Sequence, residues 1–236
     1  MRKKNATRLN LRLEKVASLV RPNAVFADVG CDHGHLAIEL MHKGAQRGYA
    51  CDINEGPLHT AQKNIAEEGL SDCIETVLTD GLDGLSDKGI TDVTIAGIGG
   101  EIIADILRRA DFLKDKHSRI ILQPQSRENV LRSFLAENGF SVFFEEAVRS
   151  GKFVYTVMAA EYSGNTRKLS VLESFCGLLP DCKTSESAEK LWRTAKFMQE
   201  TAEGLFRRGE RTAAQELQDA AEKVLLIVGK LPDFPH

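Results

Sequence analysis

The chain has 236 residues, a length that suits one large domain or a medium domain with an appendage. Hydrophobic residues make up 42% of it and charged residues 28%, and no apolar run approaches the roughly 20 residues of a membrane helix. The net charge of −3 argues against a strongly basic nucleic-acid-binding protein. The basic start of the chain, residues 1–4, is not followed by the apolar core of a signal peptide, so we expect a cytoplasmic protein without one.

The first predicted element is a helix over residues 9–21, where apolar side chains recur at helical spacing before Pro22. Residues 1–21 contain seven basic side chains and one acidic one, which makes this segment +6 and the remainder −9. Such an asymmetry is typical of an arm that binds a polyanion, and Arg8 and Arg12 are its candidate contacts. A solvated terminus is the alternative.

Strand and helix signals then alternate, which predicts a parallel sheet covered by helices on both faces. The predicted strands are residues 24–29, 47–53, 74–79, 92–96 and 119–123, and the predicted helices are 34–43, 57–68, 100–109 and 126–138. Residues 140–147 and 153–162 follow as two strands with a short turn, so they predict an antiparallel hairpin. A closing hairpin of this kind fits the α/β class I methyltransferase fold, a Rossmann-like seven-stranded sheet, better than a plain dinucleotide-binding fold.

Residues 163–168 read as a linker, and the pattern after them is helical. Apolar stripes within 191–205 and 214–228, separated by a break at 207–209, predict a coiled-coil-like α-helical hairpin. Trp192 and Phe206 lie beside the first stripe and are candidates for a second contact. We therefore expect a methyltransferase domain over residues 1–163 and a helical hairpin domain over 164–236, in a monomer or a weak dimer.

The loop after the first strand carries the main chemical signal. It reads Asp-Val-Gly-Cys-Asp-His-Gly over residues 28–34, so Asp32 stands where a nicotinamide fingerprint needs its second glycine. Gly30 and Gly34 allow a ligand to approach the backbone closely. The Asp28 carboxylate can accept a hydrogen bond from an ammonium group, as in the methionine part of S-adenosylmethionine.

Two further acids follow the next two strands. Asp52 ends the second strand, where a carboxylate can accept from both hydroxyls of a ribose. Asp80 and Gly81 follow the third strand, where they can meet an adenine ring. Three acids at the carboxyl ends of consecutive strands mark a ligand crevice, and they favour S-adenosylmethionine.

Glycines dominate the loop after the fourth strand, at Gly97, Gly99 and Gly100 around Ile98. Many enzymes that methylate exocyclic amines have an Asn/Asp-Pro-Pro-aromatic motif here. Its absence disfavours an N6-adenine or N4-cytosine target, and the glycines would let a base approach the backbone.

Several basic residues are candidate phosphate contacts, with a solvated surface as the alternative. Those near the late helix and hairpin turn are Arg127, Arg132, Arg149 and Lys152; those at the tip of the helical hairpin are Arg207, Arg208 and Arg211. Five scattered cysteines without a CxxC pair predict buried apolar residues rather than a zinc site, and His33 and His35 lack a visible third ligand, so we expect no metal.

Taken together, these motifs resemble those of the bacterial tRNA (adenine-22-N1)-methyltransferases, the TrmK-like family. The resemblance covers nearly the whole chain, and it depends on segments 28–34, 52–57, 79–82, 95–100 and 122–124. Ile98 departs from the methionine expected in many members, a change between two apolar residues.

The resemblance implies transfer of the methyl of S-adenosylmethionine to N1 of adenine 22 in tRNA. It implies that the cofactor is lined by Asp28, Gly30, Asp32, His33, Gly34, Asp52, Ile53, Asp80, Gly81 and Gly97. It also implies that Gly97, Ile98, Gly99 and Gly100 face the methyl group and the base. Two alternatives stay open: a class I methyltransferase acting on a small molecule or a protein, and a non-catalytic RNA-binding protein with this fold.

Overall fold

The computed structural model describes residues 9–231, so Arg8 and the rest of residues 1–8 lie outside the described part, as do residues 232–236. The strands are β1 Val25–Val29, β2 Arg47–Asp52, β3 Ile74–Leu78, β4 Asp92–Ile98, β5 Arg119–Pro124, β6 Phe140–Ser150 and β7 Phe153–Tyr162. The helices are α1 Leu11–Leu19, α2 His35–His42, α3 Glu55–Glu67, α4 Gly100–Arg109, α5 Glu128–Glu137, α6 Val171–Cys176, α7 Ser185–Arg207 and α8 Arg211–Val228. In this part of the chain, no helix is both long and apolar enough to cross a membrane.

The seven strands form one sheet in the order β3-β2-β1-β4-β5-β7-β6. The first five of these are parallel, whereas β7 runs antiparallel to both of its neighbours, β5 and β6. This arrangement confirms the predicted class I methyltransferase sheet. The carboxyl ends of β1, β2, β3 and β4 consequently meet along one edge, where the loops predicted to carry the chemistry lie.

Both faces of the sheet are covered, because its central strands are buried on both sides. On one face, Ile95 and Leu122 pack in a core with Ile103 of α4 and Leu131 of α5. On the other face, Phe26 belongs to a core that also contains side chains from α1, α2 and α3, including Val16, Leu40 and Ile65. This second core holds α1 against the face of the sheet.

The β6–β7 hairpin is longer than the strands beside it. Strand β7 pairs with β5 only from Met158 to Glu161, whereas it pairs with β6 from Phe153 onwards. The first part of β7 is therefore held by β6 alone, and the hairpin turn extends past the carboxyl edge of the parallel strands.

Helices α7 and α8 form the predicted hairpin, and the chain breaks between them at residues 208–210. The stripe of α7 is fully buried from Leu191 to Ala202 and partly buried at Leu205, and its core includes Ala147 of β6 and Val154 of β7. Trp192 and Phe206, the expected second contact, are 39% and 42% exposed and are not part of this core. The β6–β7 hairpin supplies that contact instead. The division into domains at residue 163 stays a prediction.

One helix start also differs from the expectation. Ser126 is the predicted cap of the fifth helix, but α5 begins at Glu128, and Arg127 before it has a φ of 56°. The backbone carbonyl of Ser126 accepts a hydrogen bond from the Gly100 amide at 2.8 Å, which ties this turn to the start of α4. The contact is long-range, so the local cap signal could not reveal it.

Candidate active site

A cavity of about 540 Å³ opens at the carboxyl edge of the sheet, which is the size of a small-molecule site. Its walls come from the loops after β1, β2, β3 and β4 and from α1. The lining includes nine of the ten residues predicted to hold a cofactor: Asp28, Gly30, Asp32, His33, Asp52, Ile53, Asp80, Gly81 and Gly97. Gly34 is not among the lining residues.

Asp28 is the most deeply buried acid of this cavity, with 3% of its surface exposed. Its Oδ1 accepts a hydrogen bond from the Thr94 hydroxyl at 2.8 Å, whereas its Oδ2 is buried without a partner among residues 9–231. Burial and the nearby Asp52 raise the pKa of Asp28 to about 7, and the hydrogen bond from Thr94 opposes this rise. An acid arranged this way is ready for a cationic donor, which would pair with the orphaned oxygen and restore its charge.

The glycine loop after β1 turns sharply under the cavity. The amides of Gly30 and Cys31 both donate to the Cys51 carbonyl at 2.9 Å, which ties the loop to the end of β2. Gly34 has a φ of 73° and precedes α2 as its cap, and a Cβ there would lie 3.1 Å from that of Ala61. Gly34 therefore allows α2 to pack closely on α3, which explains why it supports the cavity without lining it.

Asp32 and His33 form the exposed lip of the same loop. Asp32 has a φ of 51°, and its Oδ2 lies 2.9 Å from Nδ1 of His33. The His33 ring stacks on His35 with centroids 6.0 Å apart. Burial and the neighbouring His33 lower the pKa of His35, while Asp32 opposes this shift. No group of three metal-ligating side chains occurs anywhere in residues 9–231.

Asp52 and Asp80 are held in different ways. Asp52 is half-buried, and its Oδ1 accepts from the Asn54 amide at 2.9 Å, so its other oxygen is available to a ligand. Asp80 is exposed and lies 3.0 Å from a guanidinium nitrogen of Arg109 on α4. This ion pair holds the Asp80 carboxylate beside α4. The geometry favours Asp52 over Asp80 as the acid that contacts a ribose.

The glycine-rich segment 97–100, predicted as a loop, is formed by the last two residues of β4, Gly99 and the first residue of α4. Gly97 and Ile98 line the cavity, and the φ of 86° at Gly97 suits glycine. Gly99 and Gly100 are not in the lining. A Cβ on Gly100 would lie 2.5 Å from the carbonyl oxygen of Arg127, so Gly100 permits close packing between the start of α4 and the turn before α5. Tight packing is thus a sufficient reason for glycine at position 100.

Arg12 is a cavity residue that sequence reasoning placed elsewhere, as an outer contact for RNA. It lines the cavity from α1 and donates a hydrogen bond to the side-chain oxygen of Gln123, which is fully buried at the end of β5. Its guanidinium lies 5.4 Å from the centre of the Tyr155 ring. Burial lowers the pKa of Arg12. The available signal was its position between Leu9 and Leu13 on the buried side of the helix.

The other predicted RNA contacts lie on several surfaces. Lys152 occupies the exposed turn of the β6–β7 hairpin, whereas Arg149 on the same hairpin is paired with Glu189 at 2.5 Å. Arg127 lies 3.6 Å from Glu101. Arg207 and Arg208 are exposed at the junction of α7 and α8.

Arg132 is a correction to the predicted phosphate contacts, because it is 3% exposed. Its guanidinium lies 2.5 Å from Oε1 of the fully buried Glu145 on β6, and it donates to the carbonyls of Ser174 and Phe175 at the end of α6. Arg132 therefore joins α5, β6 and α6, and RNA cannot reach it. Its partners are distant in sequence, so no local pattern indicated its burial.

Two cysteines near the cavity behave as predicted for small buried side chains. Cys31 and Cys51 are 5% and 0% exposed. Burial, together with the nearby Asp28, raises the pKa of the Cys51 thiol to about 12. The pKa of Cys31 is raised for the same two reasons. Both thiols are therefore protonated at neutral pH.

The sequence of this chain is similar to those of known methyltransferases. Residues 9–158 match a family model described as a methyltransferase domain. The tRNA (adenine(22)-N(1))-methyltransferase of Bacillus subtilis is 27% identical over 232 residues, which cover 94% of this chain and 97% of that protein.

Solved structures agree with these sequence matches. Sp1610 of Streptococcus pneumoniae, solved in complex with S-adenosyl-L-methionine, is 32% identical with a TM-score of 0.78 over 91% of this chain and 98% of that one. The B. subtilis m1A22 tRNA methyltransferase TrmK is 26% identical with a TM-score of 0.79 over 93% of this chain and 97% of that one. Both matches extend well beyond residue 158 and so include most of the helical hairpin.

Proposed function

Because this chain belongs to the TrmK-like family of S-adenosylmethionine-dependent methyltransferases, we propose that it methylates N1 of adenine 22 in tRNA. The single observation that carries the cofactor assignment is the buried, partnerless Oδ2 of Asp28 in the cavity at the sheet edge. A tRNA substrate would place this activity in the cytoplasm.

The residues of the cavity fit S-adenosylmethionine. Asp28 would accept from the ammonium group of its methionine part, and Asp52 from the ribose hydroxyls. The backbone at Gly30 and Gly81, together with Ile53, would border the nucleoside. When bound, the cofactor supplies an electrophilic methyl group on a positively charged sulfur.

The acceptor chemistry requires little from the protein. N1 of neutral adenine has a lone pair in the plane of the ring, so no proton has to leave before it attacks the methyl group. The positive charge then moves from the sulfur to the adenine ring, and the total charge in the cavity is unchanged. The protein must hold N1 in line with the methyl group, and positioning of this kind can lower a barrier by several kcal/mol.

The glycine-rich end of β4 provides the space for such positioning. Gly97 and Ile98 border the cavity without a polar side chain, so a flat base could lie against their backbone. The target adenine must be unpaired and exposed to reach it, at a cost of roughly a few kcal/mol. Candidate phosphate contacts that would hold the tRNA meanwhile are Arg12, Arg127, Arg149, Lys152, Arg207 and Arg208, with Arg8 outside the described residues.

The test is incubation of the full chain with labelled S-adenosylmethionine and an unmodified tRNA transcript, followed by nucleoside mapping. We expect 1-methyladenosine at position 22, and no product with a transcript in which guanine replaces that adenine. A methyl group on another atom or nucleotide would contradict the proposal. Methylation of protein or small molecules alone would favour the alternative that the chain is a methyltransferase for such substrates. Failure to bind S-adenosylmethionine in a calorimetric titration would favour the alternative of a non-catalytic RNA-binding protein.

A further inference from the structure

Four side chains form a continuous row from the cavity to the turn of the β6–β7 hairpin. Arg12 lies over the Tyr155 ring at 5.4 Å, Tyr155 meets Phe153 edge-on with centroids 6.2 Å apart, and Lys152 lies over the Phe153 ring at 5.2 Å. We call Arg12, Tyr155, Phe153 and Lys152 the aromatic row. It combines two rings with two cations, a composition that suits the bases and phosphates of a nucleic acid.

The aromatic row is exposed at its outer end, whereas Arg12 and Tyr155 at its inner end are half-buried. Phe153 is 50% exposed, and Lys152 and Gly151 beside it are exposed as well. Exposure of a large apolar ring at the end of a projecting hairpin has no packing benefit for the fold itself. The Phe153 ring is therefore available to a partner.

The two cations of the row are also available. Among residues 9–231, neither Arg12 nor Lys152 forms an ion pair, whereas their neighbours Lys15 and Arg149 are paired with Glu146 and Glu189. Arg12 is instead held by Gln123, an uncharged partner that leaves its charge uncompensated. The row thus presents positive charge where the neighbouring cations are neutralised.

The inner end of the row reaches the predicted place of methyl transfer. A Cβ built on Gly97 would lie 3.4 Å from a guanidinium nitrogen of Arg12, so this side chain borders the backbone that a target base would approach. The outer end lies beyond the carboxyl edge of the sheet, because the first residues of β7 pair with β6 alone. The row therefore leads from the methyl-transfer site outward along the hairpin.

We propose that the aromatic row is a stacking platform for the unpaired nucleotides that flank the target adenine in the RNA strand. This inference rests on the proposed function, because it assumes that the substrate is RNA. The faces of bases become available for stacking only where a strand is unpaired, which is the state that methylation at N1 also requires. Phe153 supports a flanking base, Lys152 contacts its phosphate, and Arg12 contacts the nucleotide that enters the cavity.

The experiment compares Phe153→Leu with Phe143→Leu in the full chain. Phe143 is a matched control, since it is 47% exposed on the same hairpin, has Arg119 over its ring, and lies near the opposite end of the hairpin from its turn. Phe153→Trp is the rescue variant, because it keeps a ring in place. The probe is a tRNA transcript with the fluorescent base 2-aminopurine at the nucleotide on either side of adenine 22.

We expect Phe153→Leu to weaken tRNA binding and raise the KM for tRNA roughly tenfold while the affinity for S-adenosylmethionine is unchanged. The 2-aminopurine of its complex should be several-fold brighter than in the wild-type complex, because an unstacked base is not quenched. Phe143→Leu should match the wild type, and Phe153→Trp should restore both the KM and the quenching.

The outcomes separate this inference from the proposed function. If the wild type binds no tRNA and transfers no methyl group to it, both fail. If the wild type methylates adenine 22 while Phe153→Leu matches Phe143→Leu in KM and fluorescence, the stacking platform alone is overturned. Quenching at neither flanking nucleotide in the wild-type complex would overturn it in the same way.

Discussion

At the scale of single residues, the buried Asp28 lowers the stability of the ligand-free protein. Burial favours its neutral form, and the orphaned Oδ2 lies in the cavity without a hydrogen-bond donor among residues 9–231. An ammonium group would supply both the donor and the opposite charge. The residue that destabilises the empty site is thus the one best prepared to bind the cofactor.

This gives a prediction for Asp28→Asn. The pKa of Asp28 is raised to about 7 in the folded protein, so its contribution to stability is fully present below the unfolded pKa of 3.8 and is lost as the pH rises through about 7. Between pH 5 and pH 8 the free energy of unfolding of the ligand-free wild type should fall by about 2 to 3 kcal/mol because of this group, and that of the variant should not show this fall. Urea denaturation at the two pH values measures the difference.

The same variant should bind S-adenosylmethionine about 10- to 100-fold more weakly, because an amide cannot supply the opposite charge. Calorimetric titration at pH 8 measures this affinity. Thr94→Val is a useful comparison, since it removes the hydroxyl that donates to Oδ1, and to the Ala27 carbonyl at 3.4 Å, and should raise the pKa of Asp28 further. An unchanged affinity in Asp28→Asn would contradict the assignment of the loop.

Gly97 at the end of β4 and Gly100 at the start of α4 should respond differently to alanine. Gly100→Ala should destabilise the fold by roughly 2 kcal/mol or more, because the new methyl group would overlap the Arg127 carbonyl. Gly97→Ala should lower the free energy of unfolding by only about 1 kcal/mol, because position 97 has a positive φ, but it should reduce the rate of methyl transfer at least tenfold. Thermal unfolding and steady-state kinetics distinguish the two, and equal losses of stability would refute the division.

Residues at the ends of strands could be predicted from sequence, whereas Arg12 could not be placed. Asp28 and Asp52 follow recognisable apolar strands, and parallel strands bring their carboxyl ends together by topology alone. Arg12 reaches the cavity because α1 packs on the same sheet face as Val157 and Ala159 of β7. The position between Leu9 and Leu13 indicates the buried side of the helix, but the strands on which α1 packs are distant in sequence and have no local signal.

At the scale of elements, the fully buried Arg132–Glu145 pair connects α5 to β6 and to the end of α6. Glu145 also accepts a hydrogen bond from the Leu178 amide at 2.8 Å. Gly177 between these contacts has a φ of 53°, and a Cβ there would overlap the Glu145 carboxylate. This ion pair therefore fastens the end of α6 to α5 and β6.

Arg132→Met should reduce the free energy of unfolding by about 3 to 5 kcal/mol, because it leaves the Glu145 carboxylate buried without its opposite charge. Arg193→Met is the matched control. It breaks an exposed pair with Glu189 on α7, which should change the free energy by less than about 1 kcal/mol. Chemical denaturation measures both, and equal effects would mean that the buried pair does not fasten the two parts.

Local sequence signals predict these elements better than they predict their limits. Helix and strand periodicity identifies all seven strands and the break between α7 and α8, because those signals are local. The start of α5 is displaced because Arg127 takes a left-handed conformation, fixed by packing against Gly100. Contacts between elements, rather than preferences within them, set that boundary.

At the scale of the whole molecule, the candidate RNA contacts form two separate regions. Arg207 and Arg208 occupy the far end of the α7–α8 hairpin, where Arg208 also pairs with Glu210, while the aromatic row borders the cavity. A large polyanion such as tRNA could contact both regions. The affinity for tRNA should then fall steeply with added salt.

The double variant Arg207→Ala/Arg208→Ala tests the distal region. Its tRNA affinity should fall several-fold, while its cofactor affinity should not change. The slope of log affinity for tRNA against log salt concentration should become shallower by about one for each phosphate that is no longer bound. Arg47→Ala/Lys88→Ala is the control, since both side chains flank Glu75 at the opposite edge of the sheet. Binding titrations at several salt concentrations measure the slopes, and identical slopes in the two variants would exclude a distal contact.

The position of β7 between β5 and β6 also affects how the chain can assemble during synthesis. When the ribosome has made residues up to 152, β6 exists but has no partner in the sheet, because β7 separates it from β5. The surface formed by Ala147 and Val154, on which α7 packs, does not exist at that time either. Emergence of the ten residues of β7 therefore completes the sheet and creates the docking surface for the helices in a single step.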